Sequence, residues 1–255
     1  MKSALVRLIG FPATLIHGDT LVLDRWLWLK KRLPKPAKGK KLLDVGCGTG
    51  AFAIGAAKLG FDSFGVSWDE RNQNVAQSRA KICHVDAHFD VLDVRKLDTR
   101  EDFRGKFDAL VCTENIEHIL DDAKLMRDMA ACLKPGGAIY LTSPNINYRP
   151  MTKDDLGPFV PIENGGHVRK GYGEDRLREL CAQAGLEAEE ISYCSGYLSQ
   201  KTTALLRVMA RVNHPIAWGL TLPLRALPPL LDGAVSSVLK WPGFSICLVA
   251  RKPQT

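Results

Sequence analysis

Apolar and polar positions divide the chain into short apolar runs separated by amphipathic stretches. Leu42, Leu43 and Val45 make the first run, and Gly46-Cys47-Gly48-Thr49-Gly50 stops it at once. Phe52, Ile54, Ala56 and Leu59 then follow in a helical pattern. Phe61–Val66, His88–Leu92, Phe107–Cys112 and Ala138–Ser143 read as further strands, with helices over Glu70–Cys83 and Glu114–Leu133 between them. The second helix is expected to stop at Lys134-Pro135-Gly136-Gly137. Helix Glu174–Ala184, strand Leu186–Tyr193 and a last strand over Phe244–Ala250 complete the pattern. Strands and helices alternating at this spacing predict right-handed parallel crossovers and an α/β fold.

Three stretches depart from that rhythm. The first 40 residues read as a basic helical segment, with one short helix over Ser3–Leu15 broken near Pro12 and a second over Leu21–Leu33. In this second helix Trp26 and Trp28 pack on the domain, cover a ligand or meet a lipid interface. Residues 41–196 form the core. Within it, residues 144–172 hold four prolines and seven Gly or Asn, which predicts a long loop and a lid over the ligand edge of the sheet. Residues 197–242 carry five prolines among apolar stretches and read as an apolar helical insertion, and residues 243–255 return to the core as its last strand and tail.

Charge sharpens this division. Residues 1–41 carry ten Lys or Arg against two acids and residues 197–255 seven against one, which leaves the middle net acidic in a chain of net charge +7. Basic, apolar ends suit an anionic membrane surface or an anionic substrate, or are plain solvated flanks. No run approaches the ~20 apolar residues of a membrane span. Met1–Leu15 is interrupted by Arg7 and lacks a small-residue cleavage site, so no secretory signal is expected. Seven cysteines without a C-x-x-C pair argue against a disulfide framework and for a reducing, cytoplasmic setting, with peripheral membrane contact left open.

The first strand, glycine turn and helix start form a site for the polar tail of a nucleotide-like ligand. Gly46, Gly48 and Ala51 also satisfy a dinucleotide fingerprint. Asp44 argues against that reading, because a carboxylate there repels a pyrophosphate and suits a ligand with an ammonium and a sulfonium. Leu42-Leu43-Asp44-Val45-Gly46-Cys47-Gly48-Thr49-Gly50 resembles motif I of the class I S-adenosylmethionine-dependent methyltransferases, and the similarity runs to about Ile191 and again at the last strand. The resemblance implies a Rossmann-like fold with a mostly parallel seven-stranded sheet and an antiparallel last strand. It implies S-adenosyl-L-methionine as cofactor, held by Asp44, Gly46, Cys47, Gly48, Ser67, Trp68, Asp93, Val94 and Thr113. Ser67 stands where most relatives carry a ribose-binding acid, which resembles the variant in cyclopropane-fatty-acid synthases where a polar residue replaces the acid, so Ser67 and Asp69 both remain candidates for the ribose. Trp68 can pack on adenine, and Asp93 can accept from its amino group.

Glu114-Asn115-Ile116-Glu117-His118 opens the helix expected after the fourth strand. Glu114, Glu117 and His118 at i, i+3 and i+4 would share one helical face, where two carboxylates and an imidazole repel unless a cation joins them. His167, in the lid sequence Gly165-Gly166-His167-Val168-Arg169, is the candidate fourth ligand. The pattern resembles the ubiquinone-biosynthesis O-methyltransferases and the small-RNA 2′-O-methyltransferases. By that resemblance Glu114, Glu117, His118 and His167 hold a divalent cation such as Mg2+, and Glu117, His118 and His167 serve catalysis. Two other roles remain open, a general base at His118 and a purely structural cluster. Arg169 either holds an anionic group of the acceptor or pairs with the acidic core.

The leading expectation is O-methylation of a hydroxylated small molecule, namely a sugar, glycolipid or phenolic or quinol compound, with the basic, apolar ends tilting toward a lipid-linked acceptor. Carbon or nitrogen methylation of a lipid or metabolite and a non-catalytic cofactor-binding protein are the alternatives. A nucleic-acid acceptor is disfavoured, because the basic ends are rich in Leu, Pro and Trp and carry no recognisable RNA-binding module. The oligomeric state is not legible.

Overall fold

The computed structural model describes residues 4–17, 20–225 and 228–254. Three helices come first, α1 (Ala4–Ile9), α2 (Pro12–Ile16) and α3 (Thr20–Arg32). The core follows as β1 (Lys41–Val45), α4 (Ala51–Leu59), β2 (Asp62–Ser67), α5 (Glu70–Ile82), β3 (Ala87–Val91), β4 (Phe107–Thr113), α6 (Asp122–Cys132), β5 (Leu133–Pro144), α7 (Glu174–Gln183) and β6 (Glu187–Cys194). Three more helices, α8 (Tyr197–Ala210), α9 (His214–Thr221) and α10 (Pro228–Val238), precede β7 (Ser245–Arg251).

The seven strands form one sheet in the order β3-β2-β1-β4-β5-β7-β6. β7 runs antiparallel to both β5 and β6, and the other pairings are parallel. Central strands are buried on both faces, which is why β1 and β4 read as near-continuous apolar runs. Strand order reverses between β1 and β4, and a crevice opens there at the carboxyl ends.

Asp44 is fully buried in β1, and its Oδ2 accepts from Ala53 N at 3.1 Å, tying the first turn of α4 to the strand. Further along α4, Gly55 leaves room for α3. A Cβ there would lie 2.6 Å from Trp26 Cζ3 and 2.8 Å from Phe11 Cζ. Trp26 also meets Phe52 at a ring separation of 6.3 Å, while Trp28 donates from Nε1 to Ser192 Oγ at 3.0 Å on β6. Of the roles open to these two tryptophans, packing is the one observed.

The helix expected over Glu114–Leu133 does not form as one piece. Glu114 has φ +47°, Ile116–His118 is a single 3-10 turn, and α6 starts only at Asp122, capped by Asp121 accepting from Lys124 N at 2.8 Å. A left-handed residue cannot open an α-helix. The Lys134-Pro135-Gly136-Gly137 stretch lies in the irregular start of β5, where Gly136 N donates to Lys252 O at 3.0 Å.

Between β6 and β7, α8–α10 build a cap. Asp232 of α10 accepts from Gly196 N at 2.6 Å and Leu198 N at 2.7 Å, so one cap helix supplies the N-terminal acceptor of another. Buried Arg225 donates to Ile16 O at 2.8 Å, and Trp218 Nε1 donates to His17 O at 2.9 Å. The cap is thereby fastened to the N-terminal segment. No helix among the described residues is long and apolar enough to cross a membrane.

Two outcomes follow. Gly55→Ala gains helix propensity yet lowers stability by about 1–3 kcal/mol through overpacking on Trp26, read by denaturant unfolding. Burial raises the Asp44 carboxyl from 3.8 to about 7, so between those values the folded chain holds a proton that the unfolded chain releases. Its contribution to stability is therefore complete at acid pH and is lost as pH rises through 7, with a slope of at most about 1.4 kcal/mol per pH unit. Asp44→Asn keeps an acceptor for Ala53 N and removes this slope. Melting curves at several pH values should show the variant gaining on the native chain from pH 4 to 7, to first order the range the two pKa values span.

Candidate active site

The glycine turn after β1 is compact and strained. Gly46, Gly48 and Gly50 have φ of +81°, +51° and +79°, and a Cβ on Gly46 would fall inside the Asn115 side chain. Gly46 N and Cys47 N donate to Val66 O at 2.9 and 3.0 Å, which fixes the turn to β2. Above it lies a cleft of about 470 Å³. Gly46, Gly48, Ser67, Trp68, Asp93 and Val94 all line it.

Three other residues assigned to the cofactor by sequence do not reach the wall. Asp44 lies beneath α4, and its Oδ1 is buried without a partner. Cys47 turns its Sγ inward to Gln73 Nε2 at 3.3 Å. Thr113 is paired in the sheet opposite Thr142. Asp69 caps α5 by accepting from Arg71 N at 2.9 Å, which leaves Ser67 at the cleft.

Sequence reasoning missed Asn72, Arg95, Asn115 and Glu163, which complete the wall. Asp93 Oδ1 accepts from Arg95 N at 3.0 Å, and the Arg95 guanidinium holds the Asp93 carboxyl below the usual carboxylate range. Arg95 also pairs with Glu163 at 2.6 Å, and Glu163 accepts from Leu120 N at 2.7 Å. These bonds latch the 144–172 segment across the cleft. No periodicity marks such a loop-to-loop bridge.

A second cavity of about 540 Å³ adjoins the first. Tyr148, Phe159 and Phe244 contribute aromatic surface, and the rest of the lining is largely polar, with Glu117, His118 and His167 on one side and Asp154, Asp155 and Arg207 among the others. Glu114 and His118 line both cavities and stand at their boundary.

Glu114 is fully engaged. Its Oε1 accepts from Thr142 Oγ1 at 3.1 Å and Ser245 Oγ at 3.0 Å, and its Oε2 pairs with Arg25 Nη2 at 3.0 Å. Arg25 comes from α3, and no motif pointed to it. The shared helical face expected for Glu114, Glu117 and His118 is absent, because Glu114 is left-handed and turns its carboxylate toward α3.

Glu117, His118 and His167 do converge, with ligand atoms within 4.8 Å of one another. Glu117 is fully buried, with Oε2 accepting from Ser143 Oγ at 2.9 Å and Oε1 unpartnered. Burial, then the Glu114 charge, lift its carboxyl to about 8. His118 Nδ1 lies 3.0 Å from Gly166 O. A carbonyl only accepts, so Nδ1 carries the hydrogen and the neutral ring keeps a free lone pair on Nε2. His167 is lowered to about 4 by burial and the neighbouring His118, so its ring is neutral at pH 7. Val168 N, donating to Glu117 O at 3.0 Å, sets His167 in place. Arg169 pairs with Asp122 and donates to Ile119 O at 2.8 Å and Leu120 O at 2.9 Å, so the pairing role is the one observed.

Known proteins agree with this architecture. A family model described as a methyltransferase domain matches residues 23–191. A ubiquinone biosynthesis O-methyltransferase of Neisseria meningitidis serogroup C is 30% identical over 175 residues, covering 66% of this chain and 72% of its own. One from Thiobacillus denitrificans is 28% identical over 172 residues, with the same coverage of 66% and 72%. Among solved structures, phosphoethanolamine N-methyltransferase 2 of Haemonchus contortus, in complex with S-adenosyl-L-methionine, superposes with a TM-score of 0.64 at 20% identity, over 96% of this chain and 57% of that one. The cleft beside the glycine turn, the sheet order and the family match together show that the chain belongs to the methyltransferase-domain family and is an S-adenosylmethionine-dependent methyltransferase of the Rossmann-like class I fold.

Proposed function

We propose that the chain transfers a methyl group to a hydroxyl oxygen of a small acceptor, a phenolic or quinol compound before a sugar. The observation that carries this reading is the boundary between the two cavities, where His118 faces both the cofactor cleft and the acceptor cavity. Three aromatic side chains among charged and polar ones fit a ring that carries hydroxyls. The names of the relatives at about 30% identity support oxygen as the atom methylated.

Methyl transfer is an in-line displacement in which the sulfur–carbon bond breaks as the oxygen–carbon bond forms, so alignment and exclusion of water provide much of the acceleration. Gly46, Gly48, Ser67, Trp68, Asn72 and Asp93 would hold the cofactor, and the latched 144–172 segment excludes water. His118 Nε2, its ring fixed by the Gly166 carbonyl, takes the acceptor proton. Asp44 ties the first turn of α4 to β1 from below.

A second reading rests on the unpartnered Glu117 Oε1. One buried carboxylate and two imidazoles with free lone pairs form a donor set for a divalent ion, nearer to zinc, manganese or iron than to Mg2+, which prefers oxygen. Glu117, His118 and His167 would hold it, and Glu114, neutralised by Arg25, would not. Such an ion, when bound, lowers the pKa of a hydroxyl beside it. The His118 lone pair serves one role or the other.

His118→Ala is expected to lower kcat about 10²–10⁴-fold while S-adenosylhomocysteine still binds by calorimetry. Retained turnover would remove His118 from the chemistry. His167→Ala and Glu117→Gln separate the two readings. If both abolish Mn2+ or Zn2+ binding measured by calorimetry, and chelator stops turnover, the ion reading holds. If no ion binds and His167→Ala keeps most of its turnover, His118 acts as the base.

A further inference from the structure

The two stems of the cap carry a pair of thiols in contact. The chain leaves the sheet at Cys194, the last residue of β6, and returns to it at Ser245, two residues before Cys247 on β7. Cys247 Sγ lies 3.4 Å from Cys194 Sγ. In the antiparallel register Cys194 stands opposite Ser245 and Ser192 opposite Cys247, so the two cysteines are diagonal neighbours on one face of the sheet. α3 covers that face, with Trp28 Nε1 donating to Ser192 Oγ at 3.0 Å and Arg25 Nε donating to Ser245 Oγ at 3.1 Å.

Access differs between the two. Of the seven cysteines, Cys194 alone is not buried. It lines a cavity of about 590 Å³ between α3, the end of β6 and α10. The lining includes the exposed residues Lys31, Tyr193 and Lys240, so this cavity opens to solvent and small solutes reach the Cys194 sulfur through it. Cys247 lies behind it in the sheet, and burial holds its thiol protonated. One open thiol backed by one sealed thiol is the arrangement of an attacking and a resolving cysteine.

We infer that Cys194 and Cys247 form a modification site that hydrogen peroxide converts into a disulfide. The Cys194 thiolate attacks one oxygen of the peroxide, the O–O bond breaks and hydroxide leaves, giving a sulfenic acid. The Cys247 sulfur then attacks the Cys194 sulfur. The S–S bond forms, the S–O bond breaks, and the hydroxyl departs with the Cys247 proton as water. Two thiols are oxidised and one peroxide is reduced to water. The sulfurs have to approach by about 1.4 Å, and Cys194, beside the cavity, has space to turn. The bond closes residues 195–246 into a ring and so fastens both stems of α8, α9 and α10. Ser245, opposite Cys194, is the β7 residue that bonds both Arg25 and Glu114, which puts the new bond beside that ion pair. In a reducing compartment the bond is transient, because small thiols reopen it by exchange.

The test is oxidation of the folded, reduced full chain by a modest excess of hydrogen peroxide, followed by alkylation of the remaining thiols and digestion with trypsin and a glutamate-specific protease. The intact chain should lose two hydrogens in mass and keep five of its seven thiols. The digest should contain peptide 191–201 joined to peptide 241–251, and dithiothreitol should release both. Cys194→Ser and Cys247→Ser should each abolish that species. In Cys247→Ser the Cys194 sulfenic acid has no resolving thiol and should be captured by dimedone, whereas Cys194→Ser should capture none. Thermal unfolding of the reduced variants should match the native chain, and Cys194→Ser, at the half-buried position, carries the test on its own should Cys247→Ser fold poorly. Survival of all seven thiols in peroxide overturns the proposal. So does Cys194 carried on to sulfinic or sulfonic acid with Cys247 still open to alkylation, a bond between two chains, or a bond that pairs other cysteines.

Discussion

The ion pair between Arg25 and Glu114 is the contact on which the site depends. It joins a helix that precedes the core to the residue that follows the central strand β4. Both groups are largely shielded from water, with side-chain exposures of 8% and 18%. Leaving either partner alone would strand a buried charge, a cost well above that of any surface pair. The pair also explains why Glu114 tolerates φ +47°. With its carboxylate held by Arg25, Thr142 and Ser245, the chain must turn sharply, and that turn delivers Glu117 and His118 to the cavity floor.

Around this anchor the chain keeps carboxylates where water cannot reach them. Asp44 and Glu117 each have one oxygen bonded and one without a partner, and Asp24 on α3 is likewise raised to about 7 by burial. A core selected for stability alone would carry apolar side chains there. Their presence along the ligand edge of the sheet marks where stability has been given up for polarity. The helical cap shows the reverse economy, with Ser199, Thr203 and Thr221 buried and Val212, Ile216 and Leu220 exposed.

The sheet was legible because central parallel strands are buried on both faces and leave unbroken apolar runs. The glycine turn was legible because its φ values exclude other residues. Part of the cleft wall was legible, since Ser67 ends β2 and Trp68 and Asp93 follow closely on β2 and β3. What escaped depends on contacts between distant segments. Arg25 looked like one more cation of a basic flank, and Glu163 like a loop acid. The spacing of Glu114, Glu117 and His118 suggested a helix face, and the left-handed Glu114, its carboxylate held by Arg25, Thr142 and Ser245, breaks that helix. Asp44 was read as a ligand because of its place beside the turn, whereas its carboxylate is directed under α4.

The segment 144–172 roofs both cavities at once. Glu163 and Gly165 line the cleft beside the glycine turn, while Asp155 and His167 line the second cavity. Its fastenings, Glu163 to Arg95 and Leu120, Val168 to Glu117, and Arg169 to Asp122, are spread along a single loop. Under the proposed function, cofactor and acceptor would therefore lie beneath one loop, and a movement that unfastens it would uncover both sites. In kinetic terms, the spent cofactor and the methylated product would then leave through the same opening, and the parting of these few bonds would come before either departure.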